Sequence, residues 1–213
     1  MLFRSMRPSF WPTTHDILTP FMSSGGRRAF TLRAILAATL VPTWGIYSGY
    51  ELVEDVPRPG AQEQIDNEKY EYKPRDFAGA LTRGESLEPL LRDLNRIRRE
   101  HPALQSLTAI AFHEADDPQV LVFSKHLDSS ASGIGEEDTV LVVSLTEHDR
   151  GASTTIHLDL GALGEVGESF EVEDLLTGER FTWGRDPFVI LDPAHRPAHV
   201  LRIIHPDKEQ HHG

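Results

Sequence analysis

From residue 107 onward, short apolar runs recur about every ten residues, alternating in character and cut by Gly, Pro, Asp and Ser. A stretch of this kind satisfies its backbone only by pairing extended segments side by side. The runs at 107–113, 120–126, 139–145, 154–158, 169–174, 180–183, 188–191 and 198–204 are the candidate strands. Eight short strands at this spacing predict an antiparallel β-sandwich. Its clearest turn is the hairpin Asp174-Leu175-Leu176-Thr177-Gly178-Glu179.

The first half of the chain follows another rule. Ser9, Phe10 and Trp11 form a short aromatic run ending at Pro12. Residues 27–40 are rich in Ala, free of internal Gly and Pro, and too long for a strand, so they predict a mostly buried helix that Pro42 ends. Residues 43–47 read as a strand feeding a loop at Ser48 and Gly49. Residues 55–85 scatter Pro and Gly among charges without periodicity, and a loop of that length tends to be functional. Ser86 then caps an amphipathic helix with Leu87, Leu90, Leu91, Leu94 and Ile97 at three- and four-residue spacing, stopped by His101 and Pro102. The predicted class is α/β followed by all-β.

Charge and composition remove several function classes. The formal net charge is −12. Up to Leu104 there are fourteen Lys and Arg against thirteen Asp and Glu; from Gln105 onward there are seven against twenty. That surface repels phosphate backbones, which argues against a nucleic-acid partner. The chain has no Cys, so disulfides, thiolate metal sites and cysteine nucleophiles are all excluded. The longest apolar candidate, 34–46, is broken by Thr39, Pro42 and Thr43, short of the roughly 20 residues a membrane helix needs. With Arg4 and Arg7 followed by no hydrophobic leader, a cytoplasmic location is expected.

Some eye-catching residues point nowhere. His195 and His199 are four apart, but Pro197 lies between them in a strand, so helical metal-ligand geometry is unavailable and no metal set is expected. Gly161, Gly164 and Gly167 do not join a strand to a helix, as a phosphate-cradling loop would. Phe181 and Trp183 alternate along one strand and read as sandwich core.

The specific signals sit just after the two early strands. His15-Asp16 resembles the His-Asp after barrel strand seven in glycoside hydrolase family 13, the α-amylase family. Trp44-Gly45-Ile46-Tyr47-Ser48-Gly49-Tyr50-Glu51 resembles that family's stretch at strand eight. Longer segments narrow the likeness: Arg7 to Leu18, Leu36 to Leu52, Asn67-Glu68-Lys69-Tyr70, and Leu94 to Leu104. Together they resemble the carboxyl-terminal part of the α-1,4-glucan:maltose-1-phosphate maltosyltransferases, over nearly all of residues 3–204. Relatives often carry Asn-Thr-Pro-Asp where this chain has Thr13-Thr14-His15-Asp16, a change that keeps the Asp.

The resemblance implies a fold: the last two βα units of a (β/α)8 TIM barrel in residues 1–104, a β-sandwich in 105–205, and a tail at 206–213. It also implies a chemistry. Maltosyl units pass from maltose 1-phosphate to an α-1,4-glucan by a retaining double displacement, which needs two carboxyls about 5 Å apart. In this family the nucleophile and the acid/base lie on strands four and five, so a piece beginning near strand seven would lack both and be inactive alone. Asp16 would be the third carboxylate, stabilising the transition state. His15 would orient the sugar or that carboxylate, and Lys69 and Tyr70 would line the donor site, with Tyr47 and Glu51 shaping the barrel mouth. No cofactor is implied, and the full-length family suggests a homodimer. Two other readings stay open: a non-catalytic α-glucan-binding or assembly module, and a piece of another amylase-family hydrolase or trehalose synthase.

Overall fold

The computed structural model describes residues 8–65, 72–164 and 166–205. Two short strands, β1 (Ser9–Phe10) and β2 (Thr43–Trp44), flank a long helix, α1 (Pro20–Leu40). The strands pair in parallel, Ser9 opposite Thr43 and Phe10 opposite Trp44. A parallel pair requires a crossover of helical length, and α1 provides it. The predicted strand 43–47 is cut short at Trp44 because the chain turns away there. Gly45 still donates its N–H to the Phe10 carbonyl at 2.9 Å, and a Cβ on Gly45 would sit 2.4 Å from the Trp11 ring. Glycine is what lets the indole lie flat against the backbone.

The helix predicted over 27–40 extends back to Pro20, which occupies a first-turn position that needs no N–H. Between the two pieces the backbone breaks at Gly26, with φ 49° and ψ −135°. The paired glycines hid the first turn from the periodicity. Beyond the break the helix is buried nearly all round, through Ala29, Phe30, Leu32, Ala34, Ile35, Leu36, Ala37 and Ala38. A helix without a polar face must be covered on several sides.

One cover is α3 (Glu88–Glu100), the amphipathic helix expected, which buries Leu91, Leu94 and Ile97. The Ser86 hydroxyl accepts the Glu88 N–H at 3.0 Å. Arg98 reaches from α3 to the end of α1, donating to the carbonyls of Ala38, Val41 at 3.0 Å and Pro42 at 2.5 Å. Ala38 lies in the last turn of α1 and Val41 and Pro42 follow it, so a cation sits at the negative pole of the helix. The region read as irregular contains a short helix, α2 (Phe77–Thr82), whose Asp76 side chain accepts the Gly79 N–H at 2.8 Å.

The second cover is the sheet. All eight predicted strands form, as β3 (Ile110–Ala115), β4 (Val120–Leu127), β5 (Asp138–Leu145), β6 (Ala152–His157), β7 (Phe170–Asp174), β8 (Arg180–Trp183), β9 (Phe188–Leu191) and β10 (Ala198–Ile204). A one-turn helix, α4 (Ser129–Ser132), precedes β5. The strands pair antiparallel in the order β8-β7-β10-β5-β4-β3-β6-β9. The sequential strands β8 and β9 thus lie at opposite edges. Trp183 and Phe188 are joined by a linker that can span at most roughly 17 Å, whereas the edges of a flat eight-stranded sheet would be about 34 Å apart. The sheet must therefore curl until its edges approach, which gives a sandwich-type interior. Central β5 is buried at every residue, as a strand covered on both faces should be.

Residues on either side of position 104 are tied together. Asp138 holds His101 Nδ1 at 2.7 Å and accepts the Ala103 N–H at 2.7 Å. Buried Lys125 donates to the Ser106 carbonyl at 3.0 Å. The buried apolar cluster runs without interruption from α1 and α3 into the sheet. Among the described residues, no helix is long and apolar enough to cross a membrane.

Candidate functional site

Because β1 and β2 run parallel, their carboxyl ends lie at the same edge, and the loops that follow them are neighbours. The first loop is stiffened by Thr14, whose hydroxyl accepts the N–H groups of Asp16 at 3.3 Å and Ile17 at 3.1 Å. It presents His15 and Asp16 side by side, with Nε2 of the imidazole 2.8 Å from Asp16 Oδ2. The carboxylate is the more open of the two, its side chain 58% exposed against 33% for His15. The second loop brings Tyr47 beside them, its ring centroid 5.9 Å from that of His15 and tilted by 48°. Parallel pairing thus gathers a carboxylate, an imidazole and a phenol from segments thirty residues apart. Such a group can accept hydrogen bonds from hydroxyls and offer a flat face to a ring.

Behind this group the Gly49 turn is built from charge. Glu51 faces inward, its Oε2 accepting the Gly49 N–H at 3.0 Å. Glu54 takes a two-pronged contact from Arg75, Nε at 2.8 Å and Nη2 at 3.0 Å, and one from Lys73 at 3.0 Å. Burial by itself would raise the Glu54 carboxyl, but the hydrogen bonds and charges of Arg75 and Lys73 outweigh it and hold the group below its ordinary range. Gly49 sits at φ 102°, and a Cβ there would lie 2.2 Å from Glu54 Oε2. This cluster anchors the start of the 55–85 loop and was not legible in the sequence. Its members lie about twenty residues apart with no motif spacing, and the Pro- and Gly-rich character of the loop was the one available signal.

The structure brings His15 and Asp16 together and adds Tyr47. The Glu51 carboxylate is turned back onto its own loop, where it accepts the Gly49 N–H. Lys69 and Tyr70 lie outside the described residues. Beside β1 an open cleft of about 590 Å³ is lined by Phe10, Trp11, Met22, Leu36, Ala37 and Leu40, among others. Trp11 is 52% exposed there. The Thr13 hydroxyl is buried yet has no hydrogen-bond partner among the described residues. In the sheet, Trp183 is buried and Phe181 half-buried, both edge-on to His199, as expected of core. His199 is buried against Asp174 at 2.7 Å, and His195 is exposed against Asp192 at 2.8 Å, so the two histidines serve separate carboxylates.

Comparison with known proteins places these observations in a family context. Residues 112–203 match the family model described as "GLGE, C-terminal". The chain is similar to the α-1,4-glucan:maltose-1-phosphate maltosyltransferase of Corynebacterium glutamicum, 48% identical over 197 residues, covering 92% of this chain and 28% of that protein. It is similar to maltosyltransferase 2 of Streptomyces coelicolor, 46% identical over 203 residues, covering 94% and 29%. The Mycolicibacterium smegmatis enzyme of the same name is 47% identical over 199 residues, covering 92% and 28%. The chain thus spans less than a third of the length of these relatives. Among solved structures, an Anoxybacillus α-amylase superposes with a TM-score of 0.61 at 15% identity, covering 93% of this chain and 38% of that one. A maltogenic α-amylase from Thermotoga neapolitana gives 0.60 at 13% identity, covering 95% and 42%. These likenesses at low identity establish the fold.

Proposed function

We propose that this chain, which belongs to the α-1,4-glucan:maltose-1-phosphate maltosyltransferase family as its carboxyl-terminal part, supplies one wall of the donor site in a retaining maltosyl transfer. On this reading residues 1–104 close the catalytic (β/α)8 barrel and residues 105–205 form the module that follows it. Maltose 1-phosphate is the donor and the non-reducing end of an α-1,4-glucan the acceptor. Asp16 accepts hydrogen bonds from hydroxyls of the donor sugar, and its charge favours the positive character that develops at the anomeric centre. His15 holds that carboxylate in place, and Lys69 and Tyr70 complete the contacts to the donor.

The observation that carries the proposal is the convergence of His15, Asp16 and Tyr47 at one edge of a parallel strand pair. The other carboxylates of this region have other duties: Glu51 holds a backbone N–H, and Glu54 is matched by Arg75 and Lys73. On this reading, as the family resemblance implies, the nucleophile and the acid/base come from barrel strands four and five, ahead of the part this chain resembles, and the chain alone is inactive. Three features fit strands packing beside β1: the apolar cleft, exposed Trp11, and the unpartnered Thr13 hydroxyl.

The test is a chimera in which residues 1–213 replace the matching part of the Corynebacterium glutamicum relative. Phosphate release from maltose 1-phosphate with a short maltooligosaccharide acceptor should appear in the chimera and be absent from the isolated chain. Asp16→Asn should lower kcat in the chimera by about 10²–10³, the loss typical of one preorganised electrostatic contact. Release by the isolated chain, or an Asp16→Asn chimera as active as its parent, would overturn the assignment.

A further inference from the structure

We propose that His126, Glu137 and His205 form a binding site for one divalent transition-metal ion of the zinc type, at the end of the sheet where β4, β5 and β10 meet. No spacing in the sequence suggests this set, because its members lie far apart along the chain. His126 lies near the end of β4, Glu137 directly before β5, and His205 directly after β10. The strand register makes them neighbours: His126 is opposite Thr139 in the β4–β5 pair, and Arg202 is opposite Val140 in the β10–β5 pair. One ligand atom from each residue lies within 4.8 Å of the others. Zinc bound at about 2.0–2.2 Å by nitrogen and oxygen sets its ligands roughly 3–4 Å apart, a closure that small side-chain rotations supply.

Hydrogen bonding around Thr139 shows why a cation belongs there. Its hydroxyl lies 3.1 Å from the Leu163 carbonyl, 2.8 Å from His126 Nδ1 and 2.9 Å from His205 Nε2. A hydroxyl has one proton, and the carbonyl can only accept, so that proton goes to Leu163. Both ring nitrogens must then donate to Thr139. In its neutral form each imidazole then keeps its other nitrogen as a lone pair, the arrangement of metal-ligating histidines whose second nitrogen is held by an outer partner. For His205 the remaining Nδ1 is buried without a hydrogen bond, 3.3 Å from Glu137 Oε2. A neutral imidazole nitrogen and a carboxylate oxygen at that distance form a ready pair of ligand atoms for a cation. A single proton could bridge that pair, but the convergence of a third ligand, His126, fits a metal ion.

Gly164 leaves the space: it sits at φ 88°, and a Cβ there would lie 2.5 Å from His126 Cε1 and 2.7 Å from Glu137 Oε2. Glu137, Thr139 and His205 also line a cavity of about 1020 Å³, a route for the ion and room for a water as fourth ligand. Two imidazoles and one carboxylate favour zinc over calcium or magnesium, which prefer all-oxygen sites. Bound there, the ion would staple the end of β10 to β4 and β5.

The experiment uses the full chain carrying His211→Ala and His212→Ala, which removes a second possible zinc contact in the tail. Calorimetric titration with zinc chloride should give one ion per chain, and saturating zinc should raise Tm by several degrees. Glu137→Gln and His126→Gln should each weaken binding by at least about tenfold. Absence of binding at 100 μM zinc, or binding unchanged by both substitutions, would refute the site. Should those variants fail to fold, cobalt substitution of the otherwise unaltered chain decides by X-ray absorption. Two imidazole nitrogens and a carboxylate in the coordination shell support the site, and fewer than two imidazoles reject it.

Discussion

Lys125 shows how a single buried charge sets a pH dependence. Its side chain is fully buried and donates to one carbonyl, that of Ser106. Burial, helped by the nearby charge of Arg98, pulls its pKa from 10.5 down to about 8. The folded state thus releases a proton that the unfolded chain keeps between pH 8 and 10.5. In that window the unfolded state binds more protons, so this residue makes stability rise with pH. Below pH 8 the burden is fully present and amounts to at most about 3 kcal/mol. Lys125→Met should therefore stabilise the chain at pH 7, and its advantage should shrink as pH approaches 10.5. Urea midpoints at pH 7, 8.5 and 10 check this; an advantage constant with pH would contradict it.

Among the elements, α1 carries the sharpest constraints. Its break at Gly26 lies in backbone territory that side chains rarely enter. At the adjoining Gly25, a Cβ would stand 2.6 Å from both Ala29 and His148. Gly26→Ala is expected to cost about 1–3 kcal/mol by urea denaturation, because a Cβ is strained at φ 49° and ψ −135°. The other end of α1 depends on Arg98, which satisfies three carbonyls at once. Arg98→Ala should cost roughly 2–4 kcal/mol, since those carbonyls lose a charged donor in a half-buried place. Arg98→Lys should recover little, because an ammonium lacks the planar fork. The helices themselves were readable from periodicity, and α3 came out close to its predicted bounds. The Gly26 break and the Arg98 clasp were not readable, since each exists through contact with a distant segment.

Across the chain as a unit, the junction at residues 101–106 decides how the two parts depend on each other. Asp138 belongs to the sheet, yet its partners, His101 and the Ala103 N–H, precede it by more than thirty residues. A piece comprising residues 101–205 should be more stable than one comprising 107–205, which strips Asp138 and Lys125 of their partners and leaves a buried carboxylate without these hydrogen bonds. Thermal melts of the two pieces check the order. The amino-terminal part faces a different difficulty. Its two-stranded sheet leaves both outer edges unpaired among the described residues, beside the apolar cleft lined by Phe10 and Trp11. Open edges next to apolar surface favour association, and further barrel strands would cover them.

Alternation and turn residues sufficed to place eight strands, and three- to four-residue spacing sufficed for α3, because these signals are local and each residue's face follows from its neighbours. The His15-Asp16 and Trp44 to Glu51 motifs named the family for the same reason: they are contiguous. Strand order, by contrast, puts β10 beside β5 and β7, and β8 and β9 at opposite edges. No local pattern encodes such an order, because it minimises exposed apolar surface over the whole sheet at once. The Glu54–Lys73–Arg75 anchor, the His101–Asp138 tie and the His126–Glu137–His205 cluster likewise exist through tertiary packing alone. Each joins charges far apart along the chain, and proximity in space is what gives them their chemistry.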